Sequence, residues 1–163
     1  MFEPEAEWAI MQSIIERAGH GIQYVTGDPG EANWAYTIGR ARKGLPELVI
    51  TGVSPEAAAR MLNQLVRGWD RMEIAFDGLC TMPGSHRHQC RFAEVPESVW
   101  RSNYLLGARR DAEEQGLETS RVALQVLWSS ELRQYPDDPD APWSFRRTQP
   151  ILSKLVGTRH RRR

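Results

Sequence analysis

Lysine is almost missing from this chain: of its 21 basic residues 19 are arginine, a bias that assigns no function. Cysteine is as scarce, with only Cys80 and Cys90, so the sequence is no disulfide scaffold, and 163 residues suffice for one domain to bury its own core. No apolar run approaches the roughly 18 residues of a membrane span, and 40% hydrophobic with 26% charged residues is a globular balance. There is no G-x-S-x-G and no H-E-x-x-H; GDPG at 27–30 lacks the lysine and glycine spacing of a phosphate loop. The start, MFEPEAEW, is acidic and shows no basic segment followed by an apolar one. It predicts no secretory leader and, with two cysteines only, a reducing cytoplasm. Without internal repeats or a linker, the pattern predicts one domain over 1–157 and a disordered basic tail over 158–163.

Formal charge is zero, yet Ser144–Arg163 holds seven basic residues and no acid, which leaves the first 143 residues at a net −7. Such a tail invites a nucleic-acid reading. Its last ten positions carry no aromatic residue on which a base could stack, so nucleic acid is not the expected partner.

Periodicity assigns the elements. Trp8, Met11, Ile14, Ile15 and Ala18 recur at helical spacing over 4–18. GIQYVT, WAYTIGR and ELVITGV read as strands, and Ser54-Pro55 opens a helix over 55–69 whose stripe is Ala58, Met61, Leu62, Leu65 and Trp69. RMEIAF is a further strand, 97–115 a helix, and RVALQVLW a strand with Val122, Leu124, Val126 and Trp128 on one side, whereas YPDDPDAPW is loop. These elements predict an α+β domain on a mainly antiparallel sheet of five to six strands, with the 55–69 helix on one face.

Cys80, His86, His88 and Cys90 have the chemistry of zinc ligands. Alternation makes 86–94 a strand, in which residues four apart are separated by about 13 Å, too far for His86 and Cys90 to share an ion. No metal and no cofactor is therefore expected, and a Cys80–Cys90 disulfide is not expected in a cytoplasmic chain.

Tyr36-Thr37-Ile38-Gly39, Pro46-Glu47-Leu48, an alanine- and leucine-rich helix, Gln125-x-x-Trp128 and Pro142-Trp143 occur in that order. The chain resembles in these motifs, over about residues 19–153, a bacterial family known as domain of unknown function 4262. The resemblance implies a shared fold and no activity. Arg40 stands where the family pattern has leucine, and WSSELRQYPDDPDAPW replaces a shorter W-P-D element.

Pairing the strands 34–40 and 47–53 across the shortest loop sets 40 opposite 47, 38 opposite 49 and 36 opposite 51. One face would then carry Tyr36 and Arg40 with Thr51 and Glu47, a phenol, a hydroxyl and a carboxylate, with Gln125 or Trp128 added from the late strand. Tyr36, Thr37, Arg40, Glu47, Gln125 and Trp128 are thus the candidate ligand-binding residues, set against a scaffold in which Arg40 neutralises Glu47 across the ladder. The expected function is a non-catalytic cytoplasmic module that binds a small molecule or a protein, a homodimer being one option. The alternatives are an enzyme, flavin-binding by loose analogy with split barrels, and nucleic-acid binding through the tail.

Overall fold

Serine and proline open the long helix in the way their chemistry favours. Ser54 Oγ accepts from the Ala57 N–H at 3.2 Å, and Pro55 takes the first helical position, where no N–H is needed. The computed structural model describes residues 4–71, 80–81, 89–117 and 122–155. Six helices occur among them: α1 (Pro4–Ala18), α2 (Pro55–Asp70), α3 (Glu97–Arg101), α4 (Leu106–Glu114), α5 (Trp143–Thr148) and α6 (Leu152–Leu155). The strands are β1 (Gly21–Val25), β2 (Trp34–Ile38), β3 (Glu47–Thr51), β4 (Cys80–Thr81), β5 (Gln89–Glu94) and β6 (Ala123–Trp128), in the sheet order β1-β2-β3-β6-β5-β4. Every pairing is antiparallel except β3 with β6, so this is the α+β domain that the patterning predicts.

All five residues of β3 are buried because the sheet is covered on both faces. One face packs Ala35, Leu48, Ile50, Leu124 and Val126 against the α2 stripe Ala58, Met61, Leu62, Leu65 and Val66. On the other, Tyr36, Ile38, Val49 and Ala123 meet Ile15 of α1, Val99 and Trp100 of α3, Ala108 and Ala112 of α4, and Leu152 of α6. Each large side chain so buried contributes about 1.5–3 kcal/mol.

Four expectations change. The β2–β3 register is Trp34↔Thr51, Ala35↔Ile50 and Tyr36↔Val49, two residues from the shortest-loop pairing, because a 3₁₀ turn at Arg40–Lys43 takes Arg40 out of the strand. An even shift leaves each residue on its expected face. The helix over 97–115 breaks into α3, a 3₁₀ turn at Asn103–Leu105, and α4. Gly107 sits at the start of α4, where a Cβ would stand 2.7 Å from Ile38 Cδ1. Val122 lies outside β6 and is largely exposed. Finally, Cys90 is disulfide-bonded, contrary to the expected free thiol, and stands opposite Cys80 in the β4–β5 register, at the cross-strand separation that a disulfide spans. The RMEIAF segment over 72–76, His86, His88 and the 158–163 tail lie outside the described residues.

Candidate functional site

The six sequence candidates divide among three places. Glu47, 1% exposed, begins β3 beneath the turn that follows β2. Its carboxylate accepts from Thr37 Oγ1–H at 2.5 Å, from the Gly39 N–H at 2.9 Å and from the Ala41 N–H at 3.1 Å. Gly39 permits this wrapping, since its φ of 101° is left-handed and a Cβ would lie 2.5 Å from Ile15 Cγ2. Burial pushes the Glu47 carboxyl up to about 7, against the pull of the Thr37 hydroxyl, the Ala41 N–H, the Arg40 charge and the Gly39 N–H. Arg40 makes no ladder pair with Glu47. It turns instead to Asp70 at the end of α2 (3.2 Å) and to Pro46 O (3.0 Å), leaving Nη2 buried without a partner.

Tyr36 and Gln125 share the sheet face of Val49, the one covered by α1, α3 and α4. The Tyr36 hydroxyl accepts from the Gly107 N–H at 2.9 Å, and burial pushes its pKa up. Gln125 donates to Pro150 O (2.8 Å) and accepts from the Leu152 N–H (2.9 Å), pinning the chain into α6. Trp128, three residues on in a regular strand, faces the α2 side. Its Nε1–H donates to Thr51 O at 3.0 Å, and its ring meets Phe145 edge-on. Thr37, Glu47 and the 39–41 turn form one closed lock; direct ligand contact there requires the turn to open. None of the six lines the cleft formed by the β1–β2 connection, the end of β3 and α5.

That cleft lies elsewhere. It has a volume of about 610 Å³ and runs between the β1–β2 connection (Gly30, Glu31, Ala32, Asn33), the end of β3 leading into α2 (Gly52 to Pro55) and α5 (Ser144, Arg147, Thr148), with Tyr24 at its side. Gly52 lets these walls meet: at φ 78° its Cα approaches so closely that a Cβ would stand 2.1 Å from Thr148 O. Trp128 buttresses the same junction, its Cζ2 lying 3.6 Å from that Cβ position. Arg147 lies over the Trp143 ring at 5.1 Å, and Trp143 is 70% exposed. Arg147 and Glu31 line the cleft, and neither makes an ion pair among the described residues.

Three of the four lining hydroxyls are already engaged. Tyr24 donates to Val53 O (3.2 Å), Ser54 caps α2, and Thr148 donates to Phe145 O (2.7 Å). No histidine or cysteine lines the cleft, and no cluster of three or more metal-ligating side chains occurs among the described residues. Sequence reasoning missed the cleft because its walls come from three separated segments; GDPGEAN and Ser54-Pro55 signalled a turn and a cap but not their meeting.

Fold and cleft together define a single α+β domain with a mixed, doubly covered sheet and a polar groove at one end of its central strands. The chain belongs to the family described as Domain of unknown function (DUF4262), whose model matches residues 14–142. No curated protein and no solved structure matches it. Among the described residues no helix is long and apolar enough to cross a membrane.

Proposed function

We propose that this protein is a non-catalytic binding module that holds a small polar ligand in the cleft between the β1–β2 connection and α5. The observation that carries the reading is the pair Arg147 and Glu31, a cation and a carboxylate lining one cleft with no ionic partner of their own. A ligand bearing both a negative and a positive group, such as a free amino acid, satisfies both, and the exposed Trp143 ring supports the Arg147 guanidinium. Catalysis is not supported, since the lining lacks a nucleophile with an adjacent base. A cytoplasmic setting rests on the scarcity of cysteine; the Cys90 disulfide counts against it, and thiol trapping in intact cells decides between the two.

Native mass spectrometry of the freshly purified protein, with and without an added mixture of the free amino acids, tests the function. The expected result is a discrete small-molecule adduct that Arg147→Glu abolishes without changing the melting temperature. A flavin or metal mass, or an adduct indifferent to Arg147→Glu, overturns the reading.

A further inference from the structure

The open edge of β1 is built as its own complement. Asn33 O accepts from the Gly52 N–H at 2.9 Å, continuing the β2–β3 register. In an antiparallel ladder, backbone groups of successive residues alternate between neighbours. Residues 33, 35 and 37 therefore turn their groups to β3, and Trp34, Tyr36 and Ile38 turn theirs to β1. The pairs Gly21↔Ile38, Gln23↔Tyr36 and Val25↔Trp34 are then the hydrogen-bonded ones. Ile22 and Tyr24 are left with their N–H and C=O groups directed off the sheet. Tyr24 O accepts from Gln23 Nε2 at 3.2 Å; the other three groups have no bond among the described residues. The strand is GIQYV, with none of the lysine, proline or inward charge that blunts an edge.

The flank of α1 above this edge matches it. α1 lies over β1 and the end of β2, with Met11 against Gly21 and Ile15 against Gly39. Its inner flank is tied to α4: Trp8 Nε1–H donates to Glu114, Gln12 donates to Asp111, and Arg110 pairs with Glu5. The outer flank, toward the open edge, carries Glu7, Ile10, Ile14 and Arg17, a row at helical spacing with an acid at one end, a base at the other and apolar residues between. Ile10 is 61% exposed, and neither Glu7 nor Arg17 makes an ion pair among the described residues.

We propose that β1 and the outer flank of α1 are the docking surface for a second copy of this chain, joined antiparallel about a two-fold axis through Gln23. Ile22 of each copy exchanges both backbone bonds with Tyr24 of the other, and the two six-stranded sheets become one. The same axis sets the α1 helices antiparallel on one face of the sheet. Glu7 then faces Arg17 of the second copy at both ends, and Ile10 and Ile14 are covered between them. This complementarity of charge along α1 selects a second copy over an unrelated partner, and it is independent of the cleft.

Sedimentation equilibrium of the full chain provides the test. Wild type should dimerise, and Gln23→Lys, which opposes two like charges on the axis at a position exposed in the single chain, should raise the dimer Kd about tenfold or more. Ile10→Glu should act in the same direction. Glu7→Arg and Arg17→Glu should each weaken the dimer, and the double variant should restore it. Far-UV circular dichroism and melting temperature monitor the fold of each variant. A wild type that stays monomeric at every concentration, a dimer indifferent to both Gln23→Lys and Ile10→Glu, or a double charge variant that fails to recover overturns the proposal.

Discussion

A buried carboxylate with three donors aimed at it sets the terms for the Tyr36–Leu48 segment. Burial pushes the Glu47 carboxyl to about 7, above its ordinary 4.5, so the folded state binds the proton more tightly than the unfolded one. Its contribution is fully present below the ordinary value and is lost as pH rises through about 7, a span of about 3 kcal/mol. Glu47→Gln keeps an acceptor for Gly39 and Ala41 and lets Thr37 Oγ1 accept from the amide. Denaturant titrations from about pH 5 to about pH 8 should show a step in wild type that Glu47→Gln lacks. A step that persists in the variant assigns the titration to another group. Glu47→Ala strands all three donors and should cost about 2–4 kcal/mol at about pH 5, and less at about pH 8, where wild type has already lost the carboxyl's contribution. Gly52→Ala meets both a left-handed φ and the Thr148 carbonyl. It should destabilise by about 2 kcal/mol or more, read as a lowered urea midpoint.

Elements were legible where period and caps agreed. α1, α2 and β1 follow their patterns to within a residue, since Pro4, Gly19, Ser54 and Pro55 punctuate them, and β3 ends two residues short of its reading, at Thr51. The single helix over 97–115 was not legible as three pieces. Its apolar spacing runs through Ser102, but that hydroxyl accepts from the Tyr104 N–H and donates to Val99 O, so local bonding outbids continuation. α5 and α6 were missed because they are short and owe their places to tertiary contacts, Gln125 to Leu152 and Trp128 to Phe145. Two tests belong to α2. Ser54→Ala should cost about 1 kcal/mol through the lost cap, and Leu62→Ala, fully buried against the sheet, about 2–5 kcal/mol. Both are measured as shifts of the thermal midpoint, and the order of the two effects is the informative result. A larger loss from Ser54→Ala would mean that the stripe is not what holds this helix.

Across the whole molecule, the sheet with the α2 helix on one face could be read from the residues, whereas the cover of the other face and the cleft could not. Tyr36, Glu47 and Gln125 drew attention because polar groups at core positions need partners, and each has found one in the protein itself: the Gly107 N–H, the 37–41 turn, and the chain leading into α6. Trp128 acts one layer behind the cleft, holding Thr51 and Gly52 in place. Glu31 and Arg147 are ordinary surface charges until β3 and α5 meet at Gly52. The measurement that addresses this division most directly is an amide NMR titration of the labelled chain with the free amino acids. Binding in the cleft shifts the resonances of Gly30, Asn33, Val53 and Ser144, leaves Gly39 and Ala41 unmoved, and is lost in Arg147→Glu. Perturbations centred on Gly39, Ala41 and Leu48 instead, or none at any concentration, would contradict it.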